Sequence, residues 1–154
     1  MNEVAQILRD EKIHVRTRYY DPTAPKEQTV FPRFLTKEKY GAVAKTLICI
    51  SGKQAYCLVL GYNARADLKK LARWLKVSRF QLAKPEQVTE LTGYKIGSVS
   101  PVMPEKQLPT IFDQQLSGHT HLYLNGGQPG TQIRVPTGSL IEFLNGEVTD
   151  FASS

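Results

Sequence analysis

The sequence is poor in the features that mark secreted and membrane proteins. It has two cysteines in 154 residues, and its longest purely apolar run is the six residues 55–60. Two cysteines cannot build the disulfide framework of a small secreted protein, and six apolar residues fall far short of the roughly 20 that cross a bilayer. The first twelve residues carry five charges and no apolar signal-peptide core. We therefore expect a cytoplasmic protein with no membrane partner.

The overall composition is that of an ordinary folded protein. Apolar residues make up 41% of the chain and charged residues 22%, which excludes a wholly disordered chain, a collagen and a coiled coil. A length of 154 residues is close to the ~150 typical of one domain. No internal repeat or linker interrupts the sequence, so we predict that residues 1–154 form a single domain.

Positive charge is concentrated in the first half of the chain. Residues 1–77 hold 15 Lys and Arg against 7 Asp and Glu, whereas residues 78–154 hold 5 against 7. The densest basic segment is a predicted helix at 65–79, in which four apolar residues recur at helical spacing: Leu68, Leu71, Ala72 and Leu75. Four basic residues form a second stripe beside the apolar one: Arg65, Lys69, Arg73 and Lys76. Such a stripe is typical both of a solvated helix face and of a surface that binds nucleic-acid phosphates, and both interpretations stay open.

Helix and strand patterns are interspersed without a regular β-α-β order. Strands are predicted at 13–20, 45–51, 55–61, 94–100, 110–113, 121–125 and 132–135. Helices are predicted at 3–12, 36–43, 65–79, 85–91 and 137–144, with Thr36 and Thr137 as N-caps and Gly93 as a C-cap. This mixture predicts an α+β fold with a mixed, curved sheet.

The common catalytic and metal-binding motifs are absent or incomplete. The segment 51–54 lacks the upstream glycine and the Ser or Thr of a phosphate-binding loop, and no Gly-x-Ser-x-Gly elbow occurs. His119 and His121 would share one face of a strand, as a metal pair does. With one further histidine and no acidic cluster nearby, a hydrogen-bonded or surface pair is favoured. Cys49 and Cys57 are expected in the core, and we expect neither a metal nor another cofactor.

Three segments carry the remaining candidate chemistry. Lys45 opens an apolar strand, where a lysine either extends to water or presents its ammonium to a pocket. The segment 93–101, GYKIGSVSP, has two glycines four residues apart. They allow unusual backbone angles, and N–H groups exposed there could bind an oxyanion. The segment 126–130, GGQPG, is either a plain turn or a pocket loop.

Taken together, these segments resemble the YbaK family, which also occurs as the editing domain of bacterial prolyl-tRNA synthetases. The matching stretches are Lys45–Leu47, then Gly93–Tyr94 with Gly97–Pro101, then Gly126–Gly127 with Gly130. The resemblance runs from about residue 4 to residue 151. It implies an α+β fold in which helices surround a mixed, barrel-like sheet. It also implies an aminoacyl-tRNA deacylase that acts in trans on a mischarged tRNA(Pro), such as Cys-tRNA(Pro) or Ala-tRNA(Pro).

The resemblance also implies roles for individual residues. Lys45 and Gly97 match catalytic positions, with Lys45 either anchoring the terminal phosphate or ribose or polarising the ester carbonyl. The implied substrate-binding residues are Tyr20, Ser98, Ser100, Gly126 and Gly127. Aminoacyl-tRNA is the implied partner, and prolyl-tRNA synthetase is a second candidate. If the amino acid is cysteine, the family precedent is that its own thiol attacks the ester.

Two departures from the family pattern leave the substrate open. Pro129 follows Gln128 where many relatives carry a basic residue, and residues 22–44 do not match the family helix that helps to wall the pocket. The amino acid removed and the preferred tRNA are therefore not specified. A non-catalytic YbaK-like module that binds a nucleotide, an amino acid or tRNA is the main alternative, and a metal hydrolase built on His119 and His121 is a weaker one.

Overall fold

The chain folds into two main β-sheets that meet at the first residues of one strand. The computed structural model describes residues 2–25, 29–32 and 35–153. Its strands are β1 Arg16–Tyr19, β2 Ala44–Ser51, β3 Gln54–Gly61, β4 Arg65–Ala66, β5 Gln81–Leu82, β6 Thr110–Asp113, β7 His121–Asn125, β8 Thr131–Pro136, β9 Glu147–Thr149 and β10 Ala152–Ser153. Its α-helices are α1 Glu3–Asp10, α2 Leu68–Leu75, α3 Pro85–Thr92 and α4 Thr137–Phe143, and short 3-10 helices span Lys37–Ala42 and Gln114–Gly118.

The larger sheet is mixed and has the strand order β5-β2-β3-β6-β9. Strands β2 and β3 form an antiparallel hairpin in register from Ala44 opposite Gly61 to Ser51 opposite Gln54, and β6 and β9 add in parallel. On the other edge, β5 pairs only with the second half of β2. In the described residues, the first half of β2 therefore has no strand of this sheet along that edge.

The smaller sheet is antiparallel, with the order β1-β8-β7. A parallel bridge between Val43, just before β2, and Tyr123 of β7 joins it to the larger sheet. A third, two-stranded pair, β4 with β10, fastens the C-terminal residues. This arrangement of sheets and surrounding helices is the predicted mixed α+β fold.

Alternate residues of the central strand β3 enter two different cores. Cys57 and Val59 pack in the main core beneath α1 and the smaller sheet, whereas Leu58 and Leu60 pack in a second core with Leu71 of α2. A strand buried on both faces has no polar side to alternate with its apolar side. That is why the sequence of β3 is a continuous apolar run.

Both cysteines lie in this doubly buried sheet as free thiols. Cys49 and Cys57 are each fully buried, and burial raises the pKa of each thiol to about 12. Because a thiol attacks as its thiolate, neither cysteine is a nucleophile near neutral pH. Their expected place in the core is confirmed.

Several predicted elements are confirmed, and four need correction. The β2–β3 hairpin, the strands 110–113 and 121–125, and the helix that starts at Pro85 and ends at Gly93 are all present. The predicted strand 94–100 is wrong, because Gly93 and Gly97 adopt φ of +80° and +89° and turn the chain. The strand predicted at 13–20 is limited to Arg16–Tyr19. The helix predicted at 65–79 is limited to Leu68–Leu75, because Arg65–Ala66 form β4, the Asp67 side chain caps the helix start, and Lys76 ends the helix in a left-handed conformation. Thr137 begins α4 instead of capping it, since its hydroxyl donates to the carbonyl of His119. No helix in the described residues is long and apolar enough to cross a membrane.

Asp113 should be a main anchor of the C-terminal segment. Its carboxylate is buried and accepts the N–H groups of Phe151 and Ala152, each at 3.0 Å, and that of Gln115 at 3.2 Å. We expect Asp113→Ala to lower the free energy of unfolding by roughly 2–4 kcal/mol, because buried N–H groups lose their acceptor. Urea denaturation measures this loss. Asp150→Ala is the matched control: it removes only the exposed Asp150–Lys70 ion pair, which is worth about 0–1 kcal/mol. Equal losses for the two variants would contradict the anchoring role.

Candidate active site

A cavity of about 540 Å³ lies where the two sheets diverge. Its walls are the start of β2, the loop 96–99, the end of β7 and the start of β8, together with Tyr20 just beyond β1. The cavity exists because the first half of β2 has no strand of its own sheet along that edge. It brings together residues from all three segments singled out in the sequence.

Lys45 supplies the only cationic side chain among the described lining residues. It lies on β2 opposite Leu60 and is half-buried. Within the described chain its ammonium makes no hydrogen bond or ion pair. Burial, and then the nearby charge of Arg65, hold the pKa of Lys45 below its usual value. Lys45 therefore presents an unpaired positive charge to the cavity.

The loop 95–98 is a tight turn that lines the same cavity. The N–H of Ser98 donates to the carbonyl of Lys95 at 2.9 Å, and Gly97 occupies the third position of the turn with φ +89°. A type II turn requires a positive φ there, and glycine adopts it without strain. The Ser98 N–H is thus already used, whereas the Gly97 N–H has no partner in the described residues. Gly97 is the better candidate for an oxyanion donor in this loop.

Asn125 ties this turn to the glycine-rich loop. Its side-chain amide donates to the carbonyl of Gly97 at 2.6 Å, and its side-chain oxygen accepts the N–H of Gly127 at 3.2 Å. Asn125 also lines the cavity. The sequence analysis missed this residue. The one signal for it was its position at the end of a strand, directly before Gly126–Gly127.

The glycines of the loop 126–130 have different structural tasks. Gly126 and Gly127 do not line the cavity. A Cβ on Gly126 would lie 2.6 Å from Thr131 Cγ2, and a Cβ on Gly127 would lie 2.8 Å from the ring of Tyr94. Both are close-packing positions behind the wall. Gly130 does line the cavity, and a Cβ there would lie 2.6 Å from the carbonyl oxygen of Tyr20.

Tyr20 is held against the cavity by its neighbours. Its N–H donates to the Gly130 carbonyl at 2.9 Å, and the guanidinium of Arg18 lies 5.2 Å from the centre of its ring. Arg18 also donates to the side chain of Gln132 and to the carbonyl of Thr29. The wall formed by β1 and β8 is therefore cross-linked by polar side chains.

Two other candidate residues have different surroundings. Ser98 is buried and lines the cavity. Ser100 is fully buried behind it, where its hydroxyl accepts the N–H of Val102 at 3.1 Å. Of the seven residues proposed from the sequence, the cavity contacts Tyr20, Lys45, Gly97 and Ser98, and it does not contact Ser100, Gly126 or Gly127.

The histidine pair lies outside this cavity. His121 Nδ1 is 3.1 Å from the hydroxyl of Thr120, and His119 packs against Gly41. In the residues the structure describes, no group of three or more His, Cys, Asp or Glu side chains could hold a metal ion.

Comparison with known protein families decides the assignment. The model of the aminoacyl-tRNA editing domain family matches residues 35–143. This chain belongs to that family. The matched range contains Lys45, the Gly97 turn and Asn125, so most of the cavity is family structure.

Individual relatives are consistent with the family. The chain is 25% identical over 114 residues to EbsC of Enterococcus faecalis, and the match covers 73% of this chain and 70% of EbsC. The name of EbsC describes it as a Cys-tRNA(Pro)/Cys-tRNA(Cys) deacylase. It is 28% identical over 116 residues to the multifunctional Ser/Thr-tRNA deacylase ProXp-y of Escherichia coli K12, covering 72% and 70%. A crystal structure described as a trans-editing enzyme for prolyl tRNA synthetase matches 100% of this chain and 99% of its own, with a TM-score of 0.80 and 26% identity. The hypothetical protein APE2540 shares the fold at a TM-score of 0.85 and 22% identity, over 97% of this chain and 99% of its own.

The close approach of Gly130 to Tyr20 can be tested by adding one methyl group. Gly130 and Gly52 both have positive φ, +78° and +60°, but a Cβ on Gly52 meets nothing within 4 Å. Gly52→Ala should therefore cost only backbone strain, about 1–2 kcal/mol. Gly130→Ala should cost roughly 1–3 kcal/mol more, because a backbone oxygen must move. Urea denaturation of both variants measures the difference, and equal losses would show that the contact is not tight.

The bridging role of Asn125 predicts a change in loop order. In Asn125→Ala the Gly97 turn loses its link to the glycine-rich loop. We expect backbone order parameters of residues 96–99 to fall from about 0.85 towards 0.6. Asn125→Asp keeps the size and the acceptor for Gly127 but removes the donor to Gly97, so it should loosen the same residues. NMR relaxation is the measurement, and unchanged order in both variants would contradict the bridge.

Proposed function

We propose that this protein is a trans-acting deacylase that hydrolyses the ester of a mischarged tRNA, with mischarged tRNA(Pro), such as Cys-tRNA(Pro) or Ala-tRNA(Pro), as its substrate. The observation that carries the proposal is that Lys45, whose ammonium is unpaired in the described residues, and the Gly97 turn line one cavity, in a chain of the editing family. The names of EbsC and of the trans-editing structure support tRNA(Pro). The name of ProXp-y supports Ser- and Thr-tRNA as further substrates.

The cavity is suited to ester hydrolysis without an enzyme nucleophile. Among its described lining residues there is no Cys, His, Asp or Glu side chain. A water molecule attacks the ester carbonyl, the bond to the ribose oxygen breaks, and the products are the free amino acid and the ribose hydroxyl. Holding water and ester together removes much of the entropic barrier. For a cysteinyl ester, the substrate's own thiol can attack the carbonyl first: the bond to the ribose oxygen breaks, the ribose leaves as its hydroxyl, and water then hydrolyses the cyclic thioester to cysteine.

Negative charge develops on the carbonyl oxygen during attack. The N–H of Gly97, which has no partner in the described residues, is a donor in the turn that can stabilise this oxyanion, and such a donor is worth about 10²–10³ in rate. Lys45 either polarises the same carbonyl or anchors the terminal ribose and phosphate. The first role lowers kcat when Lys45 is removed, whereas the second mainly raises KM.

The proposal extends to location and partner. Charged tRNA is used in the cytoplasm, and we place the protein there. We also propose prolyl-tRNA synthetase as a partner, since a structure described as its trans-editing enzyme aligns with the whole of this chain. Such an association would bring the deacylase to the newly mischarged tRNA.

Lys45→Ala tests the function directly. We expect single-turnover hydrolysis of Cys-tRNA(Pro) or Ala-tRNA(Pro) to fall by at least about 100-fold, because the cavity loses its cation. Lys45→Arg should also be impaired, since the planar guanidinium does not reproduce a compact ammonium. Lys53→Ala is the matched control: it removes an exposed lysine from the turn of the same hairpin and should hydrolyse within about twofold of the wild type. Circular dichroism checks folding.

Two outcomes would contradict the proposal. Wild-type hydrolysis by a folded Lys45→Ala protein would remove Lys45 from the chemistry. A wild-type protein that hydrolyses none of the Cys-, Ala-, Ser- or Thr-tRNAs, yet binds them at Lys45, would be a binding module instead of an enzyme.

A further inference from the structure

A second cavity of about 540 Å³ lies on the outer face of the smaller sheet. Four of its described lining residues are cations and none is a carboxylate: Arg16, Arg18, Lys39 and Arg134. We call these four residues and the cavity between them the basic groove. Arg16 of β1 lies directly opposite Arg134 of β8, and Arg134 lies opposite Tyr123 of β7. Cross-strand neighbours share a face, so the strand register itself gathers these side chains.

The positive charge of the basic groove is not compensated within the described protein. Like charges directly opposite each other destabilise a sheet, yet Arg16 and Arg134 are so placed. Neither they nor Lys39 makes a hydrogen bond or ion pair to any described residue. The positive charge also affects the neighbouring His121. Burial is the largest cause that holds the pKa of His121 below its usual value, and the charges of Arg134 and Arg16 lower it further. A concave surface of this kind favours a polyanion.

The basic groove adjoins the active-site cavity. Gln132 lines both, and its side chain accepts from Arg18, whose guanidinium lies over Tyr20. An aminoacylated tRNA carries its ester on the terminal ribose of an unpaired 3′ strand. If the ester lies at Lys45, the preceding nucleotides must leave the cavity, and the basic groove is the cationic surface next to it.

We propose that the basic groove binds the phosphates of the unpaired 3′ end of the tRNA and so threads the terminal ribose into the cavity. This inference rests on the proposed function. In this proposal the basic groove, and not the cations of α2, makes the main electrostatic contact with the tRNA. The cations of α2 lie on an exposed helix face, and one of them, Lys70, already pairs with Asp150.

Two charge-matched variants test the proposal. The groove variant combines Arg16→Gln, Lys39→Gln and Arg134→Gln, and spares Arg18 because it cross-links the cavity wall. The helix variant combines Lys69→Gln, Arg73→Gln and Lys76→Gln. Each variant loses three positive charges, so a difference in their tRNA affinity reports the position of the charges and not the net charge.

Circular dichroism checks that both variants fold. The probes are deacylated tRNA(Pro) and the same tRNA without its unpaired 3′ nucleotides, and fluorescence anisotropy gives Kd over a range of salt concentrations.

We expect the groove variant to bind intact tRNA at least ~10-fold more weakly than the wild type at low salt. The slope of log K against log [salt] should become less negative by about 2. This is the value for three single-strand phosphate contacts at roughly 0.7 each. The helix variant should change the slope much less. Removing the 3′ nucleotides should weaken wild-type binding by a similar factor and barely change binding to the groove variant, because both changes remove the same contacts.

Three outcomes would overturn the proposal. Equal losses in the groove and helix variants would indicate a general charge effect. Losses that add when the groove variant meets truncated tRNA would place another part of the tRNA in the groove. Unchanged tRNA affinity, with lost binding to purified prolyl-tRNA synthetase, would make the groove a protein-docking surface.

The binding experiment and the hydrolysis experiment fail separately. Deacylated tRNA is bound without turnover, so its affinity tests the groove even if no substrate is hydrolysed. A protein that hydrolyses mischarged tRNA but binds equally well without the three groove cations would keep the proposed function and lose this inference.

Discussion

Lys45 reaches the cavity because the β2–β3 hairpin holds a single register. A shift of one residue would turn every side chain of β2 to the opposite face, and Lys45 with them. Apolar alternation cannot prevent such a shift, since both faces of β3 are buried. The register depends instead on the tight turn at Gly52, which has φ +60°, and on the bridge from Val43 to Tyr123. The position of the catalytic candidate is thus set at the two ends of one strand.

Backbone groups and small residues build the rest of the site. In the described residues the Gly97 N–H has no partner, Asn125 fixes the Gly97 turn to the glycine-rich loop, and Gly130 lets the backbone of Tyr20 approach closely. Gly126 and Gly127 contribute by close packing behind the wall. The cavity thus depends on close backbone packing together with a few side-chain bridges, those of Asn125, Arg18 and Gln132.

Local sequence signals correctly predicted elements that end at a capping glycine or at a tight turn. Gly93 ends α3 and the turn 51–54 closes the hairpin, and both are confirmed. The strand prediction for 94–100 is wrong because the β-forming residues were given more weight than the unusual backbone angles that Gly93 and Gly97 allow. Asn125 and the basic groove could not be predicted, because they depend on strand register: Arg16 and Arg134 lie 118 positions apart in the sequence but directly opposite in the sheet. The residues themselves singled out Lys45 and the glycines of 93–101, the family resemblance implied their roles, and the structure gives their surroundings.

The lowered pKa of Lys45 has a consequence for chemical labelling. At any given pH, a lysine with a depressed pKa holds a larger fraction of neutral amine than an exposed lysine does. Neutral amines are the form that reacts with acylating and sulfonylating reagents. Lys45 also opens onto a cavity that excludes the other lysines of the described chain. Amine-reactive probes small enough to enter this cavity would therefore favour Lys45 over the exposed lysines, and the described lining residues offer them no competing thiol.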